Sequence, residues 1–263
     1  MKKCGGAAQP RKYMRVRAIA HTPPNLFTFH SYFLLKSNWG YKMQHVKRVT
    51  LLAGHYGSGK TNIAVNLAMA LRQQYDRVLI ADLDIVNPYF RTKDSADALA
   101  RAGIRLICSD YANTNLDAPA LPQELYAVTD DRSYRAVMDI GGDDRGALAL
   151  GRYAPALLDE DDYELLFVAN FYRPLTPDAP SAAEVMREIE AACGMRFTGI
   201  VHNSNLAADT TPDTVRVKHP EALRLAAQTG LPLRMTTVVR PLVQPLTGEL
   251  PDLFGLTLQA KYY

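Results

Sequence analysis

Residues 54–62, Gly-His-Tyr-Gly-Ser-Gly-Lys-Thr-Asn, combine the residue types and the spacing needed to hold a row of phosphates. From Gly54 to Thr61 they satisfy the pattern Gly-x-x-x-x-Gly-Lys-Thr. Glycines let consecutive backbone N–H groups converge on phosphate oxygens, and a helix that starts here adds partial positive charge. Lys60 is expected to reach the β- and γ-phosphates as a catalytic residue, and the Thr61 hydroxyl to bind Mg²⁺. The predicted nucleotide-binding residues of the loop are Gly54, His55, Tyr56, Gly57, Ser58, Gly59, Lys60, Thr61 and Asn62.

The same glycines offer a second interpretation, a dinucleotide-binding turn of the Gly-x-Gly-x-x-Gly type. Gly57 and Gly59 fit its first two positions, and Asp82 lies at about the right distance to bind a ribose hydroxyl. Asn62 occupies the third position, where glycine or alanine is needed, and a Lys-Thr pair has no role in a dinucleotide site. The sequence therefore favours the phosphate-binding loop over the dinucleotide turn and over an ordinary glycine turn.

Three aspartates near the ends of predicted strands are candidates for metal binding and water activation. Asp82 and Asp84 follow the second strand, and the two-residue period places them on the same side of an extended chain. Asp139 ends another apolar strand before a Gly-Gly pair, as in a Walker B strand with a switch that senses the γ-phosphate. We predict Asp82 and Asp139 as Mg²⁺ ligands, directly or through water, and Asp82 and Asp84 as catalytic residues. Solvated strand-end aspartates are the alternative.

The choice of base depends on one asparagine. A guanine-selecting Asn-Lys-x-Asp motif is absent from the chain, whereas Asn203 stands just past a late strand. A carboxamide at that place can pair with the edge of adenine. The sequence therefore favours ATP with Mg²⁺ as the cofactor and Asn203 as the adenine contact; a loop asparagine without that role is the alternative.

Apolar β-rich runs alternate with helical patterns from Val46 onward, and these elements must position the candidate residues. The strand candidates are Val49–Ala53, Val78–Ala81, Arg105–Cys108, Ala136–Asp139, Leu165–Ala169, Gly199–His202 and Arg234–Val239. The helix candidates are Thr61–Tyr75, Ser95–Ile104, Ser181–Gly194, with a capping box from Ser181 to Glu184, and His219–Gly230, with Pro220 as its first helical residue. Strands such as Leu-Leu-Phe-Val-Ala are apolar on both faces, which is typical of buried parallel strands. We predict an α/β fold, a three-layer P-loop NTPase with a mostly parallel sheet covered by helices on both faces.

Charge is divided unevenly along the 263 residues. Residues 1–42 contain eight Lys or Arg and no acidic residue, so the other 221 residues carry 22 basic and 27 acidic groups, a net charge of −5. We predict a basic leader over residues 1–42, disordered or translated upstream of a true start at Met43, and a single P-loop ATPase domain over residues 43–263. A basic arm for nucleic acid or acidic lipid is the less favoured alternative.

Hydropathy and cysteine usage exclude several classes of protein. No apolar run reaches the roughly 18–20 residues of a membrane-spanning helix, so no membrane association is predicted. Cys4, Cys108 and Cys193 are scattered without a C-x-x-C spacing, which argues against a disulfide framework, a zinc site or an iron–sulfur cluster within one chain. These features favour the cytoplasm.

Taken together, these motifs resemble the ParA/MinD-type P-loop ATPases, a group that includes nitrogenase iron-protein relatives and CobQ/CobB-like synthetases. The resemblance runs from about Val46 to Val239 and rests on the loop followed by TNIAVNLA and on the segments VLIADLD, VMDIGG and GIVHNSNL. The segments DIVNPYFRT and VANFYRPLT look like marks of a bacterial ATP-binding subgroup. The resemblance implies ATP-dependent dimerisation, with hydrolysis controlling the lifetime of the dimer. It implies the following roles: Lys60 and Thr61 bind phosphate and Mg²⁺, Asp82 supports Mg²⁺, Asp84 positions water, Asp139 is the Walker B carboxylate and Asn203 contacts adenine.

One position departs from that family. ParA and MinD loops read Lys-Gly-Gly-x-Gly-Lys, and their first lysine crosses to the partner's phosphate. Here His55 and Tyr56 stand in place of the first Lys-Gly pair, and histidine is shorter and only partly charged at neutral pH. It is therefore open whether two chains enclose the nucleotide. The amphipathic C-terminal helix of MinD and the paired cysteines of the iron–sulfur relatives have no counterpart.

Two functions follow. The first is a slow, Mg²⁺-dependent ATPase that acts as a nucleotide switch on a partner protein, which the sequence does not identify, with homodimerisation open. The second is an ATP-dependent synthetase of the CobQ/CobB branch that activates a small carboxylate. It predicts an anion-binding pocket formed by Arg91, Lys93 and Arg173.

Overall fold

The computed structural model describes residues 46–83, 95–108, 123–142 and 144–258 of the chain. All of them belong to one compact unit. The predicted leader, Asp84, Arg91 and Lys93 lie outside the described residues. The division of the chain at residue 42 therefore stays a prediction.

Eight strands are found within the described residues: β1 Val49–Ala53, β2 Val78–Leu83, β3 Arg105–Cys108, β4 Arg135–Ile140, β5 Tyr163–Ala169, β6 Gly199–His202, β7 Leu233–Val239 and β8 Leu253–Leu256. The α-helices are α1 Lys60–Arg72, α2 Ala96–Arg101, α3 Ala127–Asp130, α4 Asp144–Gly151, α5 Ala154–Glu160, α6 Ala179–Cys193, α7 Pro212–Thr229 and α8 Val243–Leu246. Short 3₁₀ turns occupy Gln123–Tyr126, Ala207–Asp209 and Arg240–Leu242. None of the helices in this part of the chain has the length and apolar character needed to cross a bilayer.

The strands form a single sheet in the order β3-β2-β4-β1-β5-β6-β7-β8, and every neighbouring pair is parallel. The chain leaves the central strand β1 towards β2 and β3, returns to β4, and then crosses β1 to build the other half. Right-handed crossovers in opposite directions place their helices on opposite faces. The predicted parallel α/β sheet is confirmed, and the fold is that of a P-loop NTPase.

Alternating residues of the central strands divide the core between the two faces. One face carries Val49, Leu51 and Ala53 of β1 and joins the buried residues of α4 to α7 in one cluster. The apolar stripe of α1, formed by Ile63, Leu67 and Leu71, is also buried. Because α1 packs against β1, β2 and β4 without joining that cluster, it covers the opposite face. The carboxyl ends of the strands and the start of α1 therefore meet at one edge of the sheet.

Two helices begin earlier than the sequence predicts. Helix α6 is capped by Asp178, whose side chain accepts from Ser181 N at 3.0 Å, so the predicted cap at Ser181 is wrong. Helix α7 starts at Pro212 behind a capping box between Thr211 and Thr214 and continues through Pro220. Proline at position 220 removes one backbone hydrogen bond but does not end a helix that its caps and buried face stabilise on both sides. The predicted start of this helix at Pro220 is therefore wrong.

A buried ion pair fastens the amino end of the sheet, opposite the candidate site. Arg48 pairs with Glu160 of α5, and both side chains are almost fully buried. The guanidinium also donates to the carbonyls of Val128, at 2.9 Å, and Tyr134, at 3.2 Å. These contacts join the start of β1 to α3, α5 and the chain before β4.

Candidate phosphate-binding site

The loop between β1 and α1 adopts a turn that glycine permits. Ser58 N donates to His55 O at 3.1 Å, and Gly59 caps α1 in the left-handed region with φ of 95°. A Cβ at Gly59 would lie 2.3 Å from Asn203 Nδ2, so a side chain at this position is excluded by sterics as well as by φ. The predicted context of the loop, a strand before it and a helix after it, is confirmed.

Lys60 is folded back over this loop. Its Nζ donates to Gly54 O at 2.9 Å and to His55 O at 3.3 Å, and the residue is only 5% exposed. Thr61, the next residue, is also buried. An ammonium held at the mouth of a turn rich in backbone N–H groups forms a cationic cradle, which is the arrangement that phosphate binding requires.

Asp82 and Asp139 lie side by side. They are Cα partners in the parallel pairing of β2 with β4, and both are buried. Since Leu79, Ala81 and Leu83 point to the opposite face, strand alternation directs Asp82 to the side covered by α1. The same alternation directs Asp139 to that side. The structure therefore brings two of the three predicted carboxylates together at the edge where α1 begins.

The Gly-Gly pair after β4 contacts the phosphate-binding loop. A Cβ at Gly142 would lie 2.6 Å from Tyr56 N and 2.8 Å from Tyr56 Cα. Backbone therefore packs on backbone here, and only glycine allows that approach. A displacement of this pair would move the loop directly, which is the geometry that the predicted switch after Asp139 requires.

His55 and Tyr56 occupy the outer side of the loop. The His55 Nδ1 lies 3.0 Å from Tyr56 O, so the ring is turned towards its own loop. Tyr56 is half exposed. The described contacts of His55 are thus local.

Asn203 braces the loop from the end of β6. Its Nδ2 donates to Ser58 O at 2.6 Å, and its Oδ1 accepts from Thr237 Oγ1 of β7 at 2.6 Å. The residue is 3% exposed. One N–H and one lone pair of the carboxamide are not used in these two bonds, so the predicted contact with adenine would add to this brace. That contact stays a prediction.

Arg173 reaches the loop from the segment between β5 and α6. Its Nε donates to Gly57 O at 2.8 Å, and a Cβ at Gly57 would lie 3.3 Å from the guanidinium carbon. The segment itself is fixed by Asn170, which is fully buried and whose Oδ1 accepts from Tyr172 N at 3.1 Å. Thr176 Oγ1 donates to Asn170 O at 2.9 Å. The arginine therefore projects from a well-defined turn.

A cavity of about 340 Å³ extends from the loop to the ends of β6, β7 and β8. The loop, Lys60, Thr61 and Arg173 form its phosphate end, and the rest of the lining combines apolar and neutral polar side chains. The lining residues that the sequence analysis does not single out are Ser204, Asn205, Ala207, Thr210, Val215, Thr237, Val238, Val239, Leu256 and Leu258. Asn66 of α1 fixes the segment that follows β8. Its Nδ2 donates to Thr257 O at 2.9 Å, and its Oδ1 accepts from Thr257 N at 2.8 Å.

Strand β8 is missed by the sequence analysis, and with it part of the cavity wall. Pro251 and Gly255 break any helical or strand pattern in this region. The only usable signal is the short apolar run Leu253-Phe254, which is buried in the structure. Strand β8 forms because β7 offers it a parallel partner, from Thr236 with Leu253 to Val239 with Leu256.

Two buried histidines lie behind the cavity. His202, the last residue of β6, is fully buried, and its Nδ1 lies 3.5 Å from the Nδ1 of His219 on α7. Burial, together with the neighbouring His219, lowers the pKa of His202 to about 3. Burial also lowers the pKa of His219. Both rings are therefore neutral at pH 7.

The donor set at the phosphate end fits Mg²⁺ bound together with a nucleotide. Within residues 46–83, 95–108, 123–142 and 144–258, no three His, Cys, Asp or Glu side chains form a metal-binding cluster. Mg²⁺ usually keeps several waters and takes one or two protein oxygens plus substrate phosphates. The Thr61 hydroxyl with the Asp82 and Asp139 carboxylates would suffice for that role, directly or through water.

Among protein families, the model of the type IV secretion-system coupling protein DNA-binding domain matches residues 38–97, less than a quarter of the chain. Within the described residues the matched segment contains β1, the loop, α1 and β2. No curated protein matches the sequence of the chain.

Solved structures with a similar arrangement include the cell division protein FtsY of Thermotoga maritima, with 18% identity and a TM-score of 0.47 over 72% of this chain and 61% of that chain. FtsY of Mycoplasma mycoides gives 16% identity and a TM-score of 0.48 over 76% of this chain and 64% of that one. The signal recognition particle 54 kDa protein of Aeropyrum pernix K1 in complex with GDP gives 17% identity and a TM-score of 0.45 over 76% of this chain and 43% of that one. The chain thus spans less than two thirds of the length of each.

Proposed function

We propose that the chain is a Mg²⁺-dependent ATP-binding protein and slow ATPase that acts as a nucleotide switch on a partner protein. The observation that carries the proposal is the loop at residues 54–61, with Lys60 folded over it at one end of the cavity. The cavity offers cations at this end and apolar surface at the other, which matches the two ends of a nucleotide.

The preference for ATP rests on the polar groups that line the cavity. Asn203, beside the loop, Asn205 and Thr210 supply neutral polar groups, and Val215 and Val239 supply apolar surface. None of the described lining residues is a carboxylate, the group that a guanine-selecting motif places against the base. Neutral carboxamides and backbone groups suit adenine better than guanine.

The switch is the part of the proposal that links the site to a partner. Gly142 touches Tyr56 across a backbone contact, and Gly142 lies just before α4. A γ-phosphate that displaces this pair would move the start of α4 and thereby change the surface around it. The ParA/MinD-type resemblance implies that one partner is a second copy of the chain. Sedimentation of the wild type and of His55→Ala with ATP tests whether such a homodimer forms and whether it needs His55.

The synthetase alternative predicts a separate anion site. Of its three predicted cations only Arg173 is among the described residues, and it lies on Gly57 in the same cavity as Lys60. That position is suited to the phosphates of the nucleotide. The alternative requires turnover that depends on a small carboxylic acid, whereas the switch requires turnover with ATP and Mg²⁺ alone.

The experiment compares Lys60→Ala with Lys47→Ala. Both lysines donate to backbone carbonyls, but Lys47 is exposed, bonds Asp161 O at 3.4 Å and is not among the described residues that line the cavity. Calorimetry with ATP and Mg²⁺ should show binding by the wild type and by Lys47→Ala, and no binding by Lys60→Ala. Equal ATP binding by all three proteins would overturn the proposal, and tighter binding of GTP than ATP would overturn its choice of base.

A further inference from the structure

The phosphate end of the cavity contains a second cation from another part of the chain. Of the described residues that line the cavity, Lys60 and Arg173 are cationic and none is acidic. The two side chains reach the loop from different sides, one from α1 and one from the segment after β5. A triphosphate is strongly anionic, so two cations at one end of a cavity form a suitable field for it.

The guanidinium of Arg173 is fixed by one hydrogen bond, and its other donors make no bond to a described residue. Its Nε donates to Gly57 O, and no bond from either Nη to a described residue is observed. The side chain is exposed at the mouth of the cavity. One hydrogen bond therefore fixes the Nε side of the planar guanidinium on the loop. The four N–H groups of the two Nη atoms remain available to phosphate oxygens.

The turn that carries Arg173 is braced from two directions. Asn170 Oδ1 also accepts from Asn205 N, at 3.4 Å, and Phe171 N donates to Ser204 Oγ at 3.0 Å. These bonds connect the turn to the segment after β6, which supplies the far end of the cavity. Positioning of this kind is what a group needs if it is to stabilise charge without reorganising.

We propose that Arg173 is a second catalytic cation of this site, which binds the terminal phosphates of the nucleotide from within the same chain. The inference rests on the proposed function. In hydrolysis, the oxygen of water bonds to the γ-phosphorus while the bond from that phosphorus to the β–γ bridging oxygen breaks. The electron pair stays on the diphosphate, and the proton of water passes to solvent. The Nη donors of Arg173 stabilise the negative charge that develops on the bridging and terminal oxygens.

The test uses the full chain with Arg173→Ala, Arg173→Lys and the control Arg187→Ala. Arg187 is also exposed and also donates its Nε to a backbone carbonyl, that of Ala183 at 3.3 Å, but it does not line the cavity. Three quantities are measured: kcat for ATP with Mg²⁺, affinity for ADP, and trapping of ADP with aluminium fluoride. Arg187→Ala should match the wild type in all three.

Arg173→Ala should lower kcat about 10²- to 10³-fold, the usual effect of removing one donor to a developing anion. It should also abolish the aluminium fluoride trap while leaving ADP affinity unchanged. Arg173→Lys should restore only part of kcat, since an ammonium lacks the planar fork.

Two outcomes would overturn the inference alone: a kcat for Arg173→Ala equal to that of Arg187→Ala with ADP affinity unchanged, or the same equal kcat with ADP affinity lost. The second would show that Arg173 only braces the loop. A wild-type chain that neither binds nor hydrolyses ATP would overturn the proposed function as well.

Discussion

Asn203 provides the sharpest test of how the phosphate-binding loop is held in place. Replacing it with alanine removes the donor to Ser58 O and the acceptor for Thr237 Oγ1, both at 2.6 Å. The site is almost fully buried, so water cannot readily replace these partners. The loop would then lose its hydrogen bond to the segment after β6, 145 residues further along the chain.

The structure sets the size of the effect. Each buried polar group that loses its partner costs about 1–3 kcal/mol. The Thr237 hydroxyl can turn to its second acceptor, His202 O at 3.3 Å, so its loss is partly offset. We therefore expect Asn203→Ala to lower the free energy of unfolding by about 2–4 kcal/mol. For a domain of this size, about 3 kcal/mol corresponds to a fall in Tm of about 6–12 °C.

Differential scanning calorimetry without nucleotide measures this fall. The control is Asn205→Ala, because Asn205 is only half buried and the two bonds of its side chain, to Asn203 O and from Ala207 N, stay within its own turn. We expect it to cost about 1 kcal/mol or less. Equal Tm values for the two variants would refute the role of Asn203 in holding the loop in place. If Asn203 also contacts adenine, Asn203→Ala should in addition reduce the preference for ATP over GTP.

Three further predictions concern packing and charge. Gly142→Ala should abolish ATP binding measured by calorimetry, because its Cβ would lie 2.6 Å from the loop backbone. Gly151→Ala, whose Cβ would have no contact under 3.6 Å, should bind ATP normally. Equal ATP binding by both variants would contradict the contact between Gly142 and the loop. Since the pKa of His202 is about 3 in the fold and 6.5 in the unfolded chain, the unfolded state binds a proton that the fold does not. The His202 contribution should therefore lower the stability by about 1.4 kcal/mol per unit as pH drops below 6.5, and the slope measured by urea unfolding should be smaller by that amount in His202→Phe, where His219 still contributes. Glu160→Ala leaves the buried Arg48 guanidinium without its carboxylate and should lower the free energy of unfolding, measured in urea, by about 3–5 kcal/mol. A loss below about 1 kcal/mol, typical of an exposed ion pair, would contradict the burial of this pair.

The sequence by itself determines the features that contiguous residues encode. The candidate phosphate-binding loop is one short segment, and its glycines, Lys60 and Thr61 make it recognisable without reference to distant residues. The seven predicted strands are found because a buried parallel strand is an apolar run that needs no particular neighbour to be recognised. Local reasoning fails at Pro220, where the capping box and packing of a longer helix override the effect of proline on the backbone.

Only the tertiary structure decides which strand ends meet. The order of the sheet inserts β4 between β1 and β2, and this insertion places Asp139 beside Asp82. On the other side of β1, the order β5-β6 places Arg173 on Gly57 across 116 residues and brings Asn203 to Ser58. The contacts of Arg173 and Asn203 join segments more than a hundred residues apart. No local propensity specifies which of several similar apolar strands becomes the neighbour of β1. The sequence therefore identifies the candidate phosphate-binding loop, and the packing of the sheet selects the side chains that surround it.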